Sequence, residues 1–172
     1  VRATRAASLE ELVALALPRL TRMLAQGVTT AEVKSGYGLN LNDELKMLEA
    51  VRQLAVEQPI SLFPTLLCAH AVPEELKADR QRFLDLCEKE ILPRVASERL
   101  ARSFDIFIEA GAFTVDEGRR LLGAAKQQGL TVRVHADQLS AMGASELAAE
   151  MKATSADHLE RVTDQGIKAL AA

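Results

Sequence analysis

The sequence predicts an α/β fold, specifically a partial (β/α)8 (TIM) barrel of about five βα units preceded by a helix. Three observations carry that expectation. Short apolar or β-branched segments alternate with helical periodicities five times along the chain. Three of those segments have one apolar face and one ionisable face. All three histidines directly follow a strand segment. A central strand of an open doubly wound sheet is apolar on both faces. In a barrel the apolar face meets the helices and the ionisable face points to the axis and the mouth. A complete barrel takes about 250 residues and eight units, so these 172 residues make part of one.

The elements follow in order. Leu9, Leu12, Val13, Ala16, Leu17, Leu20 and Leu24 recur at helical spacing behind a Ser8–Glu11 capping box. Pro18 predicts a kink or a fresh start, and Gly27 a stop. Residues 28–34 read as a strand closed by Ser35-Gly36-Tyr37-Gly38. Asn42 introduces a helix over 43–58, ended by Pro59. Residues 60–68 read as a strand in which Pro64 marks an irregularity. A helix over 79–91, a strand over 104–108 and a helix capped by Thr114 and Glu117 come next. A strand over 130–134, a helix over 143–152, a short strand over 154–157 and a helix over 163–170 complete the series.

Strand alternation assigns the faces. Thr30, Glu32 and Lys34 oppose Ala31 and Val33. Asp105, Phe107 and Glu109 oppose Ile106 and Ile108, and Thr131, Arg133 and His135 oppose Val132 and Val134. Buried charges are costly unless paired. The inner set holds both signs, Glu32, Asp105 and Glu109 against Lys34 and Arg133, and is expected to pair.

Composition narrows the function. A net charge of −3 gives no electrostatic footprint for nucleic acid, and 3% aromatics without tryptophan give no stacking platform. No apolar run approaches the roughly 20 residues of a membrane span. Cys68 and Cys87 sit in apolar segments, with no CxxC and no Cys/His cluster, and read as buried thiols. The start at Val1 suggests a piece of something longer.

The carboxyl ends of strands are where parallel α/β folds bind and react. His70, His135 and His158 all fall there. Each alone is more often a hydrogen-bonded turn residue than a ligand, but their joint placement favours a site. Imidazole suits zinc or iron. Tyr37 sits on a Gly-rich turn without a phosphate-loop pattern. Asp137 caps a helix or binds a metal, with Gln138 beside it, and Asp157-His158 repeats the form.

Four segments carry a family resemblance: VKSGYGL at 33–39, AHAVP at 69–73, VHADQLS at 134–140 and SADHLE at 155–160. Together, and with EAGAF at 109–113, they resemble the imidazolonepropionase family of the amidohydrolase superfamily. The likeness covers essentially all 172 residues but less than half of a full family member. It implies a metal-dependent barrel with a small β-domain built from both chain ends. It also implies hydrolytic opening of the ring of 4-imidazolone-5-propanoate to N-formimidoyl-L-glutamate, a step of histidine degradation. The strands here match the second to sixth of that barrel. By the resemblance, His135 is the metal ligand after strand five and His158 is the proton-transfer histidine after strand six. Tyr37 and His70 are substrate contacts, and Gln138 stands where some members carry a substrate-contacting Glu. Cys68 stands where Gly is common.

Residues 1–172 are therefore expected to be a single segment of the barrel, without the family's amino-terminal and carboxyl-terminal parts. The family's His-x-His pair after strand one and its Asp after strand eight are not in the sequence. One zinc or iron ion is expected in the complete enzyme, but His135 alone cannot hold a catalytic metal. The isolated chain is expected to be inactive. The resemblance further implies a cytoplasmic homo-oligomer acting on a small molecule. The alternatives are another metal-dependent amidohydrolase such as a deaminase, and a non-enzymatic half-barrel that self-associates.

Overall fold

The computed structural model describes residues 1–172. Helix α1 (Arg2–Ala6), which the periodicity did not reveal, precedes α2 (Leu9–Ala25). The Ser8–Glu11 capping box forms as expected. Helix α2 runs through Pro18 without a fresh start. Both Pro18 and Ala14 are exposed, so the carbonyl that loses its helical donor faces water.

Strand β1 (Thr30–Lys34) leads into α3 (Leu41–Glu57). Its cap is Asn40, not Asn42: the Asn40 side chain accepts from Asp43 N at 2.9 Å. Strand β2 (Ser61–Ala69) follows. The helix expected over 79–91 is longer and composite. A 3-10 turn (Glu74–Asp79) enters α4 (Arg80–Leu86), a π turn (Cys87–Ile91) follows, and α5 runs over Leu92–Ser97. The cause is Pro93, whose ring has no N–H and crowds the carbonyl four residues back. The widened π turn, with Leu92 N bonded to Cys87 O, relieves that crowding and lets the helix continue.

The second half holds β3 (Ser103–Phe107), α6 (Val115–Gln127), β4 (Thr131–Ala136), α7 (Ala144–Glu150), β5 (Ser155–His158) and α8 (Asp164–Ala171). The Thr114–Glu117 capping box on α6 forms as expected.

All five strands are parallel and lie in the order β1-β2-β3-β4-β5. Each strand neighbours its successor, without the reversal of a doubly wound sheet. The sheet is a curled half-barrel. Register slips between Leu66 and Ala69 of β2 against β3, so the irregularity lies beyond Pro64. The larger apolar cluster packs the outer face of β2–β5 under the helices, with Phe104, Ile106, Val132 and Val134 buried. A smaller one joins α2 and α3 to β1 and β2 through Val13, Leu20, Val51 and Leu54. These layers leave the inner face and the carboxyl rim to polar side chains.

Candidate active site

The inner charges pair as the alternation predicts. Lys34 Nζ reaches Asp105 Oδ2 at 2.5 Å, Asp157 Oδ2 at 2.8 Å and Glu32 Oε2 at 3.4 Å. Burial works against the Lys34 ammonium, but Asp105, Asp157 and Glu32 outweigh it and raise its pKa. Arg133 lies 3.1 Å from Glu32 and donates to Ser155 Oγ at 2.9 Å. Glu109 departs from the expectation. It lies beyond β3 and pairs with neither cation, because its carboxylate accepts from Ala110 N, Leu139 N, Ser140 N and the Ser140 hydroxyl.

The rim carries a continuous arc of rings, supplied by each strand in turn. Tyr37 follows β1 and lies 5.1 Å from His70, which follows β2. Phe107 ends β3, 6.3 Å from His70 and 6.1 Å from His135. His135 lies 5.2 Å from His158. The structure thus brings Tyr37, His70, His135 and His158 to one end of the sheet. His135 and His158 lie inside β4 and β5, because both strands run further than apolarity alone suggested. Gln138 follows, half-buried, on the turn that Asp137 opens. Strand parity placed Phe107 on the inner face, but its place between two imidazoles follows only from neighbouring-strand register.

Buried carboxylates hold this rim. Asp105 is fully buried and meets His135 Nδ1, with Oδ1 at 3.1 Å. That contact leaves Nε2 of His135 as the nitrogen for a ligand. Asp137, at φ 47°, accepts from the amides of Met142, Ala144 and Ser145 and from the Ser145 hydroxyl. Burial pushes the Asp137 carboxyl up, but these donors outweigh it and hold its pKa low. It acts as a loop and helix-start anchor. His158 and Leu159 both take left-handed backbone, at φ 78° and 69°. Such strain in non-glycine residues costs of order 1–3 kcal/mol each and concentrates at functional sites. Burial also pushes the Cys68 thiol well up, and Cys68 and Cys87 are both free and fully buried in the apolar core, as expected.

Asp105, His135 and Asp157 offer donor atoms within 4.8 Å of one another. Between the two carboxylates, however, sits the Lys34 ammonium, which already serves as their cation. An oriented imidazole with one nitrogen free fits a metal, whereas the two carboxylates are committed to Lys34. Of the three, His135 alone keeps a donor atom outside the Lys34 ion network, with Asp105 against its other ring nitrogen.

This parallel barrel segment gathers its imidazoles at the carboxyl rim, the end at which parallel α/β barrels bind and react. The curated relatives are more specific. The chain is 65% identical over 171 residues to imidazolonepropionase of Myxococcus xanthus, covering 99% of this chain and 41% of that protein. The imidazolonepropionase of Symbiobacterium thermophilum is 52% identical over 99% of this chain and 40% of its own length. That of Sphingopyxis alaskensis is 53% identical over 99% and 42%. The chain therefore matches part of imidazolonepropionase along its whole length, and spans about two fifths of these relatives. No protein-family model matches it. A dipeptide epimerase from Methylococcus capsulatus, at TM-score 0.31 and 15% identity over 87% of this chain and 52% of that one, is too distant to bear on the site.

Proposed function

We propose that residues 1–172 are one segment of a metal-dependent amidohydrolase barrel that opens the ring of 4-imidazolone-5-propanoate to N-formimidoyl-L-glutamate. The observation that carries this reading is the rim itself: His135, oriented through Nδ1 by buried Asp105, beside His158 at 5.2 Å. The 65% identity to the imidazolonepropionase of Myxococcus xanthus supports the choice of that substrate.

In this reading His135 would hold a zinc or iron ion, which when bound would supply Lewis acidity for attack by water. Asp105 keeps the His135 proton on Nδ1. His158 moves a proton toward the ring nitrogen that departs. Tyr37 and His70, in edge-to-face contact, line the substrate side with Gln138. Gln138 has no ionisable group, so it binds and orients rather than acting as a base. The same reading makes the whole protein a cytoplasmic homo-oligomer of histidine degradation. No helix of the chain is long and apolar enough to cross a membrane.

The test is a segment exchange. Residues 1–172 replace the matching stretch of the Myxococcus xanthus relative, and loss of imidazolone absorbance is followed. Turnover supports the reading. A folded, metal-bearing chimera that spares the imidazolone but deaminates a cyclic amidine would favour a different amidohydrolase.

A further inference from the structure

Glu44 lies on the first turn of α3, is fully buried and makes no salt bridge. Its carboxylate instead accepts from three backbone amides of the β1–α3 turn. Oε2 takes Gly36 N at 3.0 Å, and Oε1 takes Gly38 N and Leu39 N, each at 2.8 Å. Backbone amides of one turn converging on one point form an anion-binding concavity, here filled by the chain's own side chain. The turn it holds is strained, with Leu39 at φ 54°. It is also tightly seated. A Cβ on Gly36 would lie 2.9 Å from Leu67 O and 3.2 Å from His70 Cβ. A Cβ on Gly38 would lie 2.5 Å from Glu44 N.

The held amides flank the peptide that joins Gly36 to Tyr37. The carbonyl of that peptide meets His70 Nδ1 at 3.1 Å. A carbonyl only accepts, so Nδ1 of neutral His70 carries the proton and Nε2 carries the lone pair.

We infer that Glu44 is a positioning residue: by fixing the 36–39 amides it sets Tyr37 and holds His70 as the Nδ1–H tautomer. His70 then presents an acceptor, which suits a ligand N–H such as that of a cyclic amide. This last step rests on reading Tyr37 and His70 as substrate contacts; the tautomer itself does not.

The experiment therefore uses the ligand-free 172-residue chain. Long-range proton–nitrogen spectra of the histidine rings are recorded above the ordinary histidine pKa of about 6.5. Wild-type His70 is expected in the Nδ1–H form. Glu44→Gln keeps the side-chain shape but turns an NH2 toward a backbone donor. It should shift the His70 tautomer ratio roughly five- to tenfold toward Nε2–H, the equivalent of about one hydrogen bond. Leu54→Ala opens a cavity in the same helix and should lower Tm without moving the ratio. Should Glu44→Gln not fold, Glu44→Asp, with its carboxylate withdrawn by a methylene, is read the same way. Wild-type His70 found as Nε2–H, an unchanged ratio in the folded Glu44 variant, or an equal shift in Leu54→Ala would each overturn the inference.

Discussion

Asp105 and His135 meet on the diagonal of neighbouring strands. Register sets Asp105 opposite Arg133 and Phe107 opposite His135, yet the Asp105 carboxylate contacts His135 Nδ1 at 3.1 Å. Arg133, the direct neighbour, turns instead to Glu32 and Ser155. Asp105 thereby joins two systems, the Lys34 ion network of the axis and the imidazole of the rim. The register forces this coupling, because side chains two apart on one strand share a face.

Asp105→Ala should release the His135 ring. Loss of a carboxylate behind a ligating histidine costs about 10–100-fold in metal affinity. In the segment-exchanged enzyme, chelator competition should show a drop of that size. An unchanged affinity would remove Asp105 from the site.

Lys34→Met leaves the Asp105 carboxylate, which has no exposed side-chain area, without its ammonium. Removing one partner of a buried pair costs about 3–5 kcal/mol. Lys34 and Asp157 are partly exposed, so the lower end is expected in urea denaturation. The double change Lys34→Met with Asp105→Leu should recover stability, since neither charge is then buried alone.

Glu109 ties the 139–140 turn to the end of β3. Burial pushes its carboxyl up, but the Ser140 hydroxyl and the amides of Leu139, Ala110 and Ser140 outweigh that and hold its pKa below the ordinary range. A lowered folded pKa contributes stability that is present above the unfolded value. That stability is lost as pH falls through the folded one. Protection factors of the Leu139 and Ser140 amides, corrected for intrinsic exchange, should therefore fall as pH drops below about 4, where glutamate ordinarily titrates. Glu109→Gln should show lower protection at neutral pH and a flatter dependence of protection on pH.

Much of this was legible in the sequence, for physical reasons. The alternation at Glu32/Lys34 and Arg133/His135 announced an ionisable inner face, since strand period allows no other placement. Local capping chemistry located α2 and α6. The composite helix around Cys87–Ile91 was not legible, because a π turn answers a single Pro93 and leaves no periodic trace. Glu109 was assigned to the wrong partners because parity holds only while the strand lasts, and β3 ends at Phe107. Glu44 escaped for another reason. On α3 it reads as one more helical glutamate, and its three amide donors come from a turn five to eight residues away.

The most direct test separates the two neighbouring imidazoles in the segment-exchanged enzyme. Elemental analysis for zinc and iron is run beside the imidazolone absorbance assay for the parent chimera, His135→Ala and His158→Ala. The account predicts that His135→Ala loses both metal and turnover, while His158→Ala keeps stoichiometric metal and turns over far more slowly. Full metal retention in His135→Ala, or undiminished turnover in His158→Ala, would contradict it.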